Sequence, residues 1–158
     1  DVLIMDCEEA MKISGTSGID EAARFFASTQ VSSFIITNGA NELYAKSNGV
    51  QFEATEMLKF PVSKMIAREI AANPELRGDT TGCGDNFVGG IISSLALQLK
   101  NTAKGTSNLT EAISWGISSG GFCCFTVGGT YIEPFTGEKK QRVQAIQEDY
   151  KKQLNNKK

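Results

Sequence analysis

The sequence contains no histidine, which removes Ser-His-Asp and Cys-His catalysis and every histidine-ligated metal site. It also lacks a C-x-x-C pair: the four cysteines are Cys7, Cys83, Cys123 and Cys124. Two of these are adjacent, so neither a zinc site nor a disulfide framework is suggested, and a reducing cytoplasm is the expected home. No apolar run approaches the roughly eighteen residues of a membrane-spanning helix, and the first residues do not read as a secretory signal. There is no excess of basic charge either. Sixteen basic against eighteen acidic residues leave a net charge of −2, which gives no counterion-releasing footprint for nucleic acid.

What is present is a globular composition, with 41% hydrophobic and 22% charged residues in 158. That excludes an intrinsically disordered chain, and the length suits one domain of ordinary size. Val2 to Met5 is a short apolar run bounded by polar residues, read as an interior strand. Residues 8–14 read as a helix. Asp20 starts a second, with Ile19, Ala22, Ala23, Phe26 and Ala27 on one face. Val31–Ile36 is a strand stopped by the turn signal Thr37-Asn38-Gly39. Leu43–Lys46 and Val50–Glu53 flank Ser47-Asn48-Gly49, the signature of a hairpin. Ser63–Ala72 has helical propensity and ends at Asn73-Pro74.

From Gly84 onward, Phe87, Ile91, Leu95 and Leu99 recur at helical spacing, with Val88 and Ile92 beside them. Leu109 to about Phe125 forms a further helix, in which Gly116, Gly120 and Gly121 allow close packing against a neighbour. Glu138–Leu154 forms the last, with Val143, Ile146 and Tyr150 inward. Strands alternate with helices early and helices dominate late, which makes a layered α/β domain.

The densest signal is Asp79-Thr-Thr-Gly-Cys-Gly-Asp85-Asn-Phe, running straight into an apolar helix. First-turn amides of a helix have no internal partners and sit at the positive end of its dipole. A glycine-bearing turn there lets those amides close around an anion. Asp85, in the same turn, can take a proton from an attacking hydroxyl, which makes a phosphoryl-transfer layout. The loop is neither a Walker A loop nor G-x-G-x-x-G. On these residues alone, a helix N-terminus with a capping aspartate remains the favoured reading.

The run resembles the second signature of the ribokinase/PfkB family of sugar and nucleoside kinases, D-T-[TN]-G-A-G-D-x-F, with Cys83 in place of the usual alanine. The resemblance implies a ribokinase-like three-layer α/β/α fold and ATP-dependent transfer of the γ-phosphoryl group to a sugar hydroxyl. It also implies that Asp85 is the base and that the amides of Gly82, Cys83 and Gly84 form the anion hole. Asp6-Cys-Glu-Glu9 falls where the family carries N-x-x-E, a motif that organises Mg²⁺ and phosphate through water. Glu9 matches there, while Asp6 replaces asparagine.

Thr37-Asn38-Gly39 is similar to the family's T-x-G segment beside the nucleotide phosphates. Thr126 to Thr130 corresponds to the family's T-x-x-G-[AC] loop that wraps the adenine side, with Gly129 matching and Thr130 at the alanine or cysteine position. The backbone oxygens of Asp79 and Thr81 correspond to positions facing a monovalent cation such as K⁺ in some members. Read without the family, Asp6 and Glu9 are helix N-terminal residues, and Thr37–Gly39 is a plain turn.

The resemblance covers residues 1–158 as the C-terminal, nucleotide-binding part of such a kinase. Nothing here resembles the N-terminal Gly-Gly signature, the substrate-binding aspartate or the lid sheet. The expected partners are therefore nucleotide and a small sugar or related alcohol, not nucleic acid or membrane. The missing N-terminal half, or self-association, is expected to cover open sheet edge. Acceptors of another type (nucleoside, vitamin precursor) and a non-catalytic nucleotide-binding module are the alternatives, and the isolated chain is expected to have little or no kinase activity.

Other features have plainer readings. Trp115 reads as core, Cys123 and Cys124 as small buried hydrophobes, and Lys139-Lys140 as a solvated face. Cys83 alone reads as reactive, because a helix N-terminus lowers a thiol's pKa.

Overall fold

The computed structural model describes residues 2–101 and 105–156. These fall into two compact units: residues 2–62 with 98–109, and residues 63–97 with 110–156. The first unit holds β1 (Val2–Asp6), α1 (Cys7–Ser14), α2 (Ile19–Ala27), β2 (Ser33–Thr37), β3 (Leu43–Ser47) and β4 (Leu58–Phe60). The sheet order is β1-β2-β3-β4, with β1 and β2 parallel and the other pairs antiparallel. A parallel pair needs a crossover, which α1 and α2 provide.

Residues Ser33 to Ile36 of β2 are all buried, as expected of a strand covered on both faces. Ser33 lies opposite Ser47 on β3, and their hydroxyls bond at 3.0 Å. The α2 face of Ala22, Ala23 and Phe26 packs with Met5, Phe34, Ile36 and Tyr44 into one core, with Ile19 and Ala27 at its margin. Phe26 and Phe34 pack with ring centres 6.0 Å apart.

Two sequence expectations change here. β1 ends the sheet order and pairs only with β2 among the described residues, so the interior strands there are β2 and β3. An apolar run reports burial of a strand's faces and does not count its neighbours. The hairpin after Asn48-Gly49 is also replaced, because β3 pairs with β4. The Ser47 hydroxyl donates to the Phe52 carbonyl at 3.1 Å and accepts from the Gly49 amide at 3.2 Å, which curls residues 47–52 into a loop. Phe52 is then fully buried beside Ser107, to which it forms a parallel bridge.

The second unit is helical. It contains α3 (Lys64–Ala72), a 3₁₀ turn at Pro74–Leu76, most of α4 (Cys83–Asn101), nearly all of α5 (Leu109–Cys123), and α6 (Glu138–Asn155). Ser63 caps α3 by accepting from the Ile66 amide, and Asn73 before Pro74 closes it. Ile66, Phe122, Val143 and Ile146 form the core, flanked by Ile70, Trp115, Phe125 and Tyr131. The Trp115 indole donates to Glu111 Oε1 at 3.1 Å. Buried Gln147 joins α6 to α5 by donating to Ser114 Oγ at 2.8 Å.

α5 brings Gly116 against α4, where an added Cβ would lie 2.9 Å from the ring of Phe87 and 3.0 Å from Ile91. This close approach covers only the early turns of α4. Phe87 and Ile91 are buried, whereas Ile92 and Leu99 of the same apolar pattern remain more than half exposed. Among the described residues, no helix is long and apolar enough to cross a membrane.

Candidate functional site

In the second unit, Asp79 fixes the loop that leads into α4. Its Oδ1 accepts from the Thr81 amide at 2.9 Å, and its two oxygens accept from the Gly128 amide at 3.3 and 3.2 Å. The backbone continues the join: Gly78 donates to the Cys124 carbonyl at 2.8 Å, and Asp79 to that of Thr126 at 3.1 Å. Residues 78–82 and 124–129 are thus one double-stranded loop. Gly82 has φ +75°, and a Cβ on it would stand 2.6 Å from the Gly129 Cα, so the position excludes side chains on both counts.

The Gly82 carbonyl accepts from the Asn86 amide at 2.9 Å, which marks the start of α4. The Cys83 amide closes a turn on the Thr80 carbonyl at 3.2 Å. Among the described residues, the amides of Gly82, Gly84 and Asp85 make no hydrogen bond. The donors open to an anion are therefore these three, with Cys83 engaged in the turn. Space around Gly84 is empty within 4 Å of where a Cβ would stand. The Asp85 carboxylate is exposed and has no bonded partner among the described residues.

Asn86 is a site residue that sequence reading missed. Its side-chain amide donates to the carbonyls of Gly82 at 2.9 Å and Gly129 at 3.1 Å, and to Cys123 Sγ at 3.4 Å. Its Oδ1 accepts from Lys139 Nζ at 2.8 Å. Lys139 is therefore half-buried and bonded, and with Lys140 it lines the same cleft of about 450 Å³ as Asp85, Asn86 and Ser93. Its expected place on a solvated face is corrected. A signal existed: two lysines in the first turn of α6 oppose the helix dipole, so their position asks for another reason. Gly129 lies on the loop beside Gly82, and the Thr130 amide turns back onto the Gly128 carbonyl.

The reactive-thiol expectation for Cys83 is also corrected. Burial, followed by the neighbouring Cys124, pushes its thiol well above the ordinary cysteine range. The sulfur faces Cys124 Sγ at 3.6 Å, and desolvation outweighs the helix dipole. Cys123 is buried as expected and sends its thiol to the Thr81 carbonyl at 3.4 Å. Cys124 is only half-buried.

In the first unit, Asp6 and Thr37 occupy matched positions at the carboxyl ends of parallel strands β1 and β2. This is the edge where open α/β sheets bind ligands. Asp6 caps α1 by accepting from the Glu9 amide at 2.8 Å, and Glu9 Oε2 accepts from the Asp6 amide at 3.0 Å, a reciprocal capping box. The second oxygen of each carboxylate is free of the cap, a donor set that suits an ion held through water. Thr37 Oγ1 donates to the Met5 carbonyl at 3.4 Å, and Gly39, with φ +55°, turns the chain after Asn38. Among the described residues, no group of three or more cysteine or carboxylate side chains is placed to hold a metal ion by itself.

No family model matches the chain, and no curated protein sequence matches it. Comparison with solved structures places the fold: the chain is α/β and ribokinase-like, resembling sugar and nucleoside kinases over part of their length. Phosphofructokinase-2 from Escherichia coli superposes with a TM-score of 0.64 at 14% identity, over 96% of this chain and 41% of that one. Aminoimidazole riboside kinase from Salmonella enterica gives 0.62 at 22% identity, over 90% and 41%. Adenosine kinase from Schistosoma mansoni gives 0.59 at 17% identity, over 84% and 36%. The chain spans about two-fifths of the length of these solved structures.

Proposed function

We propose that residues 1–158 form the nucleotide-binding part of an ATP-dependent kinase that phosphorylates a sugar hydroxyl, and that an acceptor-binding part must join them for turnover. One observation carries the reading: the free amides of Gly82, Gly84 and Asp85 surround open space at the start of α4, with the unpartnered Asp85 carboxylate in the same turn. Free amides at the positive end of a helix neutralise a transferring phosphoryl group, and a nearby carboxylate accepts the attacking hydroxyl's proton. The solved neighbours support the chemistry class, since the Salmonella kinase was captured with aminoimidazole riboside and an ATP analogue.

Within this reading, Lys139 and Lys140 add positive charge to the cleft that holds Asp85. Gly129 and Thr130, on the loop beside Gly82, flank the base side of the nucleotide. Within the first unit, Asp6 and Glu9 would hold Mg²⁺ through water, and such an ion supplies charge neutralisation when bound. The carbonyls of Asp79 and Thr81 are the positions for K⁺. The open side of β1 is where a further strand, from the acceptor-binding part or a second copy, completes the sheet.

Calorimetric titration of the chain with ATP and Mg²⁺ tests the reading. Saturable binding of one nucleotide is expected. Gly84→Val should abolish it by filling the open space, while Asp85→Asn should leave it within a few-fold. Absence of ATP binding contradicts the proposal. Robust phosphorylation of a sugar by the isolated chain contradicts its statement that an acceptor-binding part is missing.

A further inference from the structure

The cysteines at the start of α4 form a cluster that the kinase chemistry does not use. Cys83 Sγ and Cys124 Sγ lie 3.6 Å apart although 41 positions separate them in sequence. A disulfide needs about 2.05 Å between sulfurs, so closure draws the two together by about 1.5 Å, a movement the Cys83 backbone shares. The two segments are packed together: a Cβ on Gly120 would come 2.9 Å from the Cys83 carbonyl, and the Cys124 carbonyl accepts from Gly78 at 2.8 Å. Neither residue is fully buried. Cys123 is occupied differently, with its thiol on the Thr81 carbonyl and the Asn86 amide on its sulfur.

We propose that Cys83 and Cys124 are a reversible oxidation site that closes to an intramolecular disulfide and thereby weakens nucleotide binding. With a hydroperoxide as oxidant, two S–H bonds and one O–O bond break and one S–S bond forms. The two electrons and two protons pass to the peroxide, which with H₂O₂ leaves as two waters. The second half of the proposal rests on the kinase reading, because the bridge pulls the Cys83 backbone away from the turn that shapes the anion hole. High local concentration of the two sulfurs drives closure, and the small thiolate fraction of Cys83 makes it faster as pH rises.

The test treats the 158-residue chain with H₂O₂ at pH 8, blocks remaining thiols, and maps tryptic peptides with and without reductant. The expected product links the peptide containing Cys83 to the one containing Cys124, with loss of two hydrogens and full reversal by dithiothreitol. Cys123→Ser should still form it, whereas Cys124→Ser should not. Linkage through Cys7 or Cys123, bridges between chains, or separately oxidised sulfurs overturn the site. Calorimetry with ADP reads the second half: at least tenfold weaker binding by the oxidised chain, restored by reductant, is expected. Unchanged ADP affinity in a chain shown to be bridged overturns that half. Failure of the reduced chain to bind ADP refutes the kinase reading instead, while the peptide map still decides the bridge.

Discussion

Lys139 at the start of α6 donates its ammonium to the side-chain oxygen of Asn86 at 2.8 Å, and Asn86 in turn holds the carbonyls of Gly82 and Gly129. One asparagine thus joins the turn before α4, the loop at 126–130 and the first turn of α6. Replacing it by leucine leaves the Gly129 carbonyl and the Lys139 charge without their partner, while the Gly82 carbonyl keeps the backbone amide of residue 86. A loss of about 1–3 kcal/mol in stability is expected, as for other orphaned polar groups. Urea denaturation checks this, with Asn86→Asp expected to retain the Lys139 contact and lose the three bonds donated by the side-chain amide.

Two glycines in the same turn should respond oppositely. Gly82→Ala meets both a positive φ and the Gly129 backbone at 2.6 Å, so it should destabilise the fold by about 2 kcal/mol or more. Gly84→Ala has open space within 4 Å and a helical position. It should be neutral or slightly stabilising, because alanine is favoured over glycine by about 1 kcal/mol in helices. In Gly84→Ala, however, the new methyl occupies the proposed phosphate space, and ATP affinity should fall. Thermal melts and ATP titration of both variants separate folding from binding.

Asp6 should show a structural and an electrostatic role that different variants isolate. Asp6→Ala removes the cap of α1 and should cost about 1 kcal/mol. Asp6→Asn keeps a capping acceptor while removing a charge. It should melt near the parent temperature and, in the kinase reading, lower the Mg²⁺ dependence of ATP binding. Equal Mg²⁺ dependence in parent and Asp6→Asn would remove Asp6 from the proposed ion site.

The pH response of the first unit has a named source. The Lys59 ammonium, and then the Tyr44 hydroxyl at 2.9 Å, hold the Asp20 carboxyl below its usual value of 3.8. Tyr44 and Asp20 push Lys59 up to about 12. A depressed carboxyl contributes stability above its unfolded pKa and loses it as pH falls through the folded one. The contribution of Asp20 should therefore disappear below about pH 4. Asp20→Asn should lower stability slightly at neutral pH and converge with the parent in acid, flattening that part of the unfolding curve as followed by circular dichroism.

Much of the fold was legible from periodicity. The faces of α2 and α6 were readable because Ala22, Ala23 and Phe26, and Val143, Ile146 and Tyr150, repeat at helical spacing and are buried. β4 was missed because three residues, Leu58–Phe60, are too few for an alternation to register. The Asn48-Gly49 hairpin misled because side-chain bonds of Ser47 redirected the chain. In the site, the local turn before α4 was readable from its glycines. Asn86 and Lys139 were not, since their role depends on contacts made 43 and 53 positions away. The Cys83 thiol was misjudged for the same reason: the dipole is local, while the sulfur it faces comes from Cys124.

The central claim is that the amides at the start of α4 hold nucleotide phosphates. Proton–nitrogen NMR correlation spectra of the chain, recorded with and without ADP and Mg²⁺, test it at the atoms concerned. Saturable shifts are expected at Gly82, Gly84 and Asp85, with smaller ones at Gly129 and Thr130. Spectra in which these amides stay fixed while nucleotide is saturating would contradict the account.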